Sequence, residues 1–199
     1  MFFAASDDVS SAVIDMGSYE TRAGYSGEDC PRSVVPSVVG VEHDDAQKLA
    51  EDVEMAEAGV KPKLVTGSAG LGFYRDHMAI RPLFQEDGMI NFDHLEALLT
   101  TSLVGNLRLS IKDTPLLFAE DTVHNKEVRM KLTEFLFEKL KVPALFVCKD
   151  SVLSSFACGR ATAVVLDSGN KFTTATPVHD GYALGKCIIR HEIGGQKLT

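Results

Sequence analysis

The sequence predicts an α/β fold, a mixed sheet flanked by helices. Three observations predict it. Residues 12–40 and 161–190 read as β-hairpins at the two ends of the chain. Between them, helical periodicity alternates with short apolar strands, the order expected of a sheet covered by helices. The two hairpin regions also open alike, with Ala12-Val13-Ile14-Asp15-Met16-Gly17-Ser18 echoed by Val164-Val165-Leu166-Asp167-Ser168-Gly169-Asn170. Each is an apolar β-branched run, an Asp and a Gly-containing turn, followed by a second stretch of strand character at 21–25 or 172–178.

In residues 12–40 turns fall at Gly17, Gly24 and Gly27, and Pro31 and Pro36 interrupt the ladder. Residues 41–78 are acidic and irregular, with Glu42, Asp44, Asp45, Glu51, Asp52, Glu54 and Glu57. Leu49, Val53 and Ala56 fit one or two helical turns, stopped by Gly59 and Pro62, so this stretch reads as a small insert with a solvated face. From Asn91 the period becomes helical: Leu95, Leu98, Leu99 and Leu103 share a face, with Asn91 or Asp93 as the cap. Residues 115–119 read as a buried strand. Asn125 caps a second helix with an apolar stripe at Val128, Leu132, Phe135, Leu136 and Leu140, and Pro143 ends that region. Residues 144–147 return to strand, and 151–158 form a short helix stopped by Gly159. Antiparallel strands follow, turning near Gly169 and Gly181. If the fold is a duplication, the chain holds one lobe (residues 1–40 and 79–162), the inserted subdomain (41–78) and only the opening strands of a second lobe (163–199).

With 199 residues, 45% of them apolar, the chain can bury one sizeable core. A net charge of −8 argues against independent nucleic-acid binding, which rests on Lys and Arg, and favours basic protein partners. Cys30, Cys148, Cys158 and Cys187 have no zinc spacing, and Cys148 and Cys158 read as packing thiols in a reducing compartment. The six histidines are scattered without an i, i+4 pair. Residues 1–5 are too short and lack the basic start of a secretory signal, and no apolar run is long enough to span a membrane.

A strand that ends in a carboxylate and a Gly turn can hold phosphate and a cation. Turn N–H groups make an anion cradle, Gly permits close approach, and Asp offers a hard oxygen to Mg²⁺ or Ca²⁺. Alone, residues 15–18 are equally a plain hairpin turn. The second copy turns the reading towards paired loops gripping one nucleotide.

Val13-Ile14-Asp15-Met16-Gly17-Ser18, Arg22-Ala23-Gly24-Tyr25-Ser26-Gly27, Pro36-Ser37-Val38-Val39-Gly40, Pro115-Leu116-Leu117, Gly159-Arg160, Asp167-Ser168-Gly169 and Asp180-Gly181-Tyr182-Ala183-Leu184 occur in the order of the actin family. From residue 12 onward the chain resembles the N-terminal half of an actin-like (ribonuclease H-like) ATPase fold, with the second lobe truncated. Gly17-Ser18-Tyr19, Asp29-Cys30-Pro31, Phe146-Val147-Cys148-Lys149 and residues 174–182 are more similar to the nuclear actin-related proteins of chromatin-remodelling and histone-acetyltransferase complexes than to conventional actin.

The resemblance implies a cofactor, ATP with Mg²⁺ or Ca²⁺, bound weakly or not at all by so short a chain. It assigns Asp15, Gly17, Ser18, Tyr19 and Arg22 to the first phosphate loop and Asp167, Ser168, Gly169 and Asn170 to the second, with Gly195 near the nucleotide. Asp15 and Asp167 would act on the metal through water, Ser18 would donate to the outermost phosphate, and Arg22 replaces the family's Lys. Asn170 and Lys171 replace Asp-Gly. Asp150 stands where the family places a water-orienting Gln, and Tyr19 adds bulk beside the outer phosphate, which implies at most weak ATPase activity.

Phe156 and Ala157 match a partner groove, although Phe156 taken alone reads as core packing. The implied role is a non-catalytic subunit in the nucleus, seated on a basic helix of a remodeller motor beside actin or another actin-related protein. Neither nucleic acid nor membrane would be bound directly. The alternatives are a cytoskeletal (cytoplasmic) actin-like protein, an active ATPase of the actin/sugar-kinase superfamily, and a truncated paralogue with little independent function.

Overall fold

The computed structural model describes residues 11–42, 62–85, 88–123 and 125–199. The helical turn read at Leu49, Val53 and Ala56, and the histidines at 43 and 124, lie outside the described residues.

Five strands build the main sheet. The apolar run that opens the chain forms β1 (Ala12–Met16), which turns back antiparallel into β2 (Glu20–Tyr25) and β3 (Ser33–Pro36). Two later strands, numbered β7 (Leu116–Glu120) and β8 (Leu145–Lys149) in chain order, lie parallel to β1, giving the order β3-β2-β1-β7-β8. Parallel pairing requires a crossover, and helices supply it. A separate three-stranded sheet joins β4 (Val38–Glu42), β5 (Lys63–Val65) and β6 (Met78–Pro82), with the short helix α1 (Ser68–Leu71) beside it. Its strands β4 and β6 take residues from both flanks of the 41–78 stretch.

The crossover helices follow the apolar stripes. The first, α2 (Phe92–Leu99), is capped by Asn91, whose side chain accepts from the N–H groups of Asp93 and His94 at 3.1 and 3.2 Å. The second, α3 (Lys126–Glu134), is capped by Asn125, which accepts from the Glu127 N–H at 3.0 Å. Both helices then widen into a π-helical stretch, over Thr100–Asn106 and Phe135–Lys139. Leu95, Leu98, Leu99, Leu103, Leu132 and Leu136 are buried with Ile14 and Phe118 of the sheet in one core.

The second unit is smaller. α4 (Asp150–Ala157) leads through Gly159, at φ 68°, to β9 (Ala163–Ser168) and β10 (Thr173–His179). β9 covers one edge of β10, while β11 (Tyr182–Ala183) and β12 (Ile189–His191) share the other. Asp180 and Gly181 connect β10 to β11 with φ values of 47° and 74°, the two-residue turn that an Asp-Gly pair favours. The chain ends in α5 (Gly195–Leu198). Val152 of α4 packs against Val178 and Ala183 of this sheet, joined by Cys148 and Val165.

Two side chains depart from the readings above. Cys148 is half-buried in that small cluster, but Cys158 is exposed, because the helix has already turned its last buried residue, Ser155, inward. Phe156 is not a core residue. It is 52% exposed and rests its ring against Gly181. Among the described residues no helix is long and apolar enough to cross a membrane.

Candidate functional site

Both Asp–Gly segments fold into the same turn. After β1, residues 17–20 close with the Gly17 N–H donating to the Glu20 carbonyl at 3.0 Å. After β9, residues 169–172 close with the Gly169 N–H donating to the Phe172 carbonyl at 2.9 Å. Glycine is demanded more strongly in the first. A Cβ on Gly17 would stand 2.8 Å from the Glu20 carbonyl oxygen, whereas one on Gly169 would stand at an ordinary 3.6 Å from that of Phe172. The first turn is braced by Ser37, at the junction of β3 and β4. Its hydroxyl donates to the Gly17 carbonyl at 2.6 Å and its N–H to the Tyr19 carbonyl at 2.8 Å.

The turns meet across a cleft of about 680 Å³, within the range of small-molecule sites. Asp15, Gly17, Ser18, Tyr19 and Arg22 line it from one side and Asp167, Gly169, Asn170 and Lys171 from the other, with Asp150 between. Ser168 and Gly195 are not among the lining residues. The Ser168 hydroxyl lies 3.0 Å from that of Thr173, and the Gly195 N–H donates to the Gly169 carbonyl at 2.9 Å. Gly195 therefore sits behind the loop rather than in front of it. Phe156 and Ala157 lie outside the cleft, exposed on α4 beside Gly181, the neighbour of the exposed Tyr182.

The carboxylates of Asp15, Asp150 and Asp167 line the cleft. Asp15 is 3.9 Å from the Arg22 guanidinium, which also donates to Glu20 at 3.3 Å. Burial raises the Asp15 carboxyl above its ordinary value; Arg22 partly opposes this and the charge of Asp167 adds to it. Burial likewise raises Asp150. Hydrogen bonds from the Thr122 hydroxyl and the Ser151 N–H oppose the rise, and Asp121 and Asp167 add to it. Asp15 and Asp150 thus both sense Asp167, and a bound cation would relieve that repulsion. Among the described residues no three His, Cys, Asp or Glu side chains are grouped to hold a metal ion. The donor chemistry fits a cation such as Mg²⁺, which keeps several waters and completes its shell with phosphate oxygens.

The sequence reading missed several side-chain contacts in and beside the cleft, of which those of Arg190 cross between the two units. Arg190 of β12 reaches Asp121 at 3.3 Å and donates to the Val123 carbonyl at 3.2 Å, while its guanidinium stacks 3.6 Å above the Phe172 ring. Arg129 donates to the buried Glu120 at 3.0 Å, and the Lys149 ammonium donates to the Thr122 carbonyl at 3.1 Å. Arg190 lies 67 positions from Val123, and no local pattern marks such a pair. Only the interruption of an apolar strand by an Arg hinted at a partner.

A family model described as Actin matches residues 6–199. Proteins named actin-related protein 4 are similar over 97% of the chain, at 40% identity in Oryza sativa (subspecies indica and japonica) and 37% in Arabidopsis thaliana. The matched segment is 47% of each of these relatives, so the chain spans about half their length.

Proposed function

The chain belongs to the actin family, and on that premise we propose that it is a nucleotide-binding actin-related subunit that does not turn its nucleotide over, serving a nuclear chromatin-remodelling or histone-acetyltransferase complex. The observation that carries the reading is the pair of matching turns, 17–20 and 169–172, facing one cleft from two units of the fold. The loops suit a polyphosphate. Ser18 and the turn amides would donate to its oxygens, Arg22 and Lys171 would neutralise its charge, and Asp15 and Asp167 would hold the water shell of its Mg²⁺ or Ca²⁺. Bound Mg-ATP would supply a charged bridge between the units.

Asp150 supports the absence of turnover. As a carboxylate it only accepts hydrogen bonds, and the Thr122 hydroxyl and Ser151 N–H already hold it at the mouth of α4. It offers no amide donor to orient an attacking water, and its charge opposes the approach of phosphate. The nuclear role is supported by the similarity to actin-related protein 4 and by the segments at 17–19, 29–31, 146–149 and 174–182. An acidic chain with Phe156 and Ala157 exposed on α4 suits the basic helix of a motor subunit, with actin or another actin-related protein alongside.

The test is phosphate release by the purified chain in Mg-ATP, paired with affinity purification from nuclear extract and mass spectrometry. The expected result is release at background, a rise in the Asp150→Gln variant, and co-purification of a remodeller motor. Rapid release by the unsubstituted protein would overturn the non-catalytic reading. Recovery with cytoplasmic filaments instead of a nuclear complex would overturn the assignment of place.

A further inference from the structure

The second phosphate loop is held from behind by the end of the chain. The N–H groups of Gly195 and Gln196 donate to the carbonyls of Gly169 and Asn170, both at 2.9 Å. One residue before this segment, the Ile193 carbonyl accepts from the Thr173 hydroxyl at 2.6 Å. In a trans peptide the C=O of one residue and the N–H of the next point in opposite directions. Turning the carbonyls of Gly169 and Asn170 towards α5 therefore turns the N–H groups of Asn170 and Lys171 away from it. That opposite side is the cleft, which Gly169, Asn170 and Lys171 line and no residue of α5 does. Neither N–H donates to a backbone acceptor among the described residues.

Gly194 makes this approach possible. A Cβ there would stand 2.6 Å from the carbonyl carbons of Asn170 and Lys171, and closer still to the Asn170 oxygen. Those are backbone atoms and cannot swing aside. The φ of Gly194 is −145°, extended backbone that any residue adopts, so glycine is required for space alone.

We propose that Gly194 and the first turn of α5 are a positioning clamp, which aims the Asn170 and Lys171 amides at the anionic oxygens of a polyphosphate. Gly195 thus acts on the loop through its N–H. The proposal rests on the nucleotide-binding reading above.

The experiment uses the whole chain with assigned backbone amides, in four forms: unsubstituted, Gly194→Ala, Gly195→Pro and Gly185→Ala. Gly195→Pro deletes the donor to Gly169 at the first helical position, where Pro is best accepted and follows an extended residue. Gly185→Ala is the control, since nothing lies within 4 Å of a Cβ there. Hydrogen exchange reads the clamp without any ligand. Amide shifts during titration with Mg-ATP, and separately with inorganic tripolyphosphate, read the loop.

The unsubstituted and control chains are expected to protect the Gly195 and Gln196 amides and to shift Asn170 and Lys171 on titration. Gly194→Ala should lose that protection and the Asn170 and Lys171 response, keep the response of Ser18, and bind at least roughly tenfold more weakly, tenfold being about the size of one lost hydrogen bond to a charged group and two donors being lost. Gly195→Pro should lose the second-loop response likewise. Unprotected Gly195 and Gln196 amides in the unsubstituted chain overturn the proposal, as does an unchanged second-loop response and affinity in both variants. Protected amides with no response at either loop overturn the nucleotide reading and leave the clamp standing on exchange alone.

Discussion

The two Asp–Gly loops share a turn but not a foundation. The first leaves β1, a strand flanked on both sides in the five-stranded sheet, and is braced by the buried Ser37. The second leaves β9, which among the described residues pairs only with β10, and is braced by the four-residue helix α5, which buries no side chain. The Gly17 turn is so tight that a methyl group meets the Glu20 carbonyl, while the Gly169 turn has room for one. A repeated local motif therefore carries different energetic weight in its two settings, and packing around the motif, not the motif, sets the difference.

The largest expected effects fall on the first loop. Ser37→Ala removes a donor to the Gly17 carbonyl and a 2.9 Å contact with the buried Thr21 hydroxyl, and should cost about 1–3 kcal/mol of stability in urea denaturation. Gly17→Ala should cost about 1–3 kcal/mol, as forced contacts in packed sites do. The matching Gly169→Ala should stay within about 0.5 kcal/mol, as changes without such a feature do. Equal costs for the two glycine variants would break the comparison.

The next effect lies between the loops and depends on pH. Asp150 is raised above its ordinary 3.8 in the folded chain, so the folded state holds that proton more tightly than the unfolded one. Stability from this group is greatest below 3.8 and falls as pH rises through the window between 3.8 and the folded value. Asp150→Asn removes the titration while its amide oxygen still accepts from Thr122. The variant should match or exceed the unsubstituted chain at neutral pH and lose that advantage in acid, read as denaturation midpoints across the pH range. A neutral-pH midpoint well below that of the unsubstituted chain would show that Asp150 is held by its hydrogen bonds and not penalised by burial.

The smallest effect on stability belongs to Lys171→Ala, within about 0.5 kcal/mol for a half-exposed loop side chain with no ion pair among the described residues. Its affinity for tripolyphosphate should nonetheless fall, and calorimetry would sharpen the comparison by separating charge from foundation.

Much of this was legible in order along the chain. The stripes at Leu95, Leu98, Leu99 and Leu103 and at Leu132, Phe135 and Leu136 are the buried faces of α2 and α3 and of the π-helical stretches that continue them, because amphipathic periodicity is a local record of which side meets the core. Asn91 and Asn125 were readable as caps, and Asp180-Gly181 as a tight turn, because each is fixed by the chemistry of two or three neighbours. The two Asp–Gly turns were readable for the same reason. The brace at Ser37, the Arg190 contacts with Asp121 and Phe172, and the hold of α5 on the second loop were not. Each joins residues about 20 or more positions apart through a few hydrogen bonds, ion pairs or stacking contacts, which leave no period in the sequence. The exposure of Phe156 was misleading for a related reason: an aromatic on a helix looks the same whether its face meets the core or solvent.

By itself, then, the sequence determined the strands and helices of the main sheet, their caps and turns, the actin-family ancestry and the existence of two carboxylate-bearing loops, since all of these are written in short-range chemistry. The strands β5 and β6 and the helix α1, in and beside a stretch that reads as irregular, were not legible. Only the tertiary structure decided that the loops face one cleft, that Asp15 and Asp150 both feel the charge of Asp167, and that the Gly195 N–H is bonded to the second loop. Those facts depend on distances between strands far apart in the chain, and such distances are set by packing and burial.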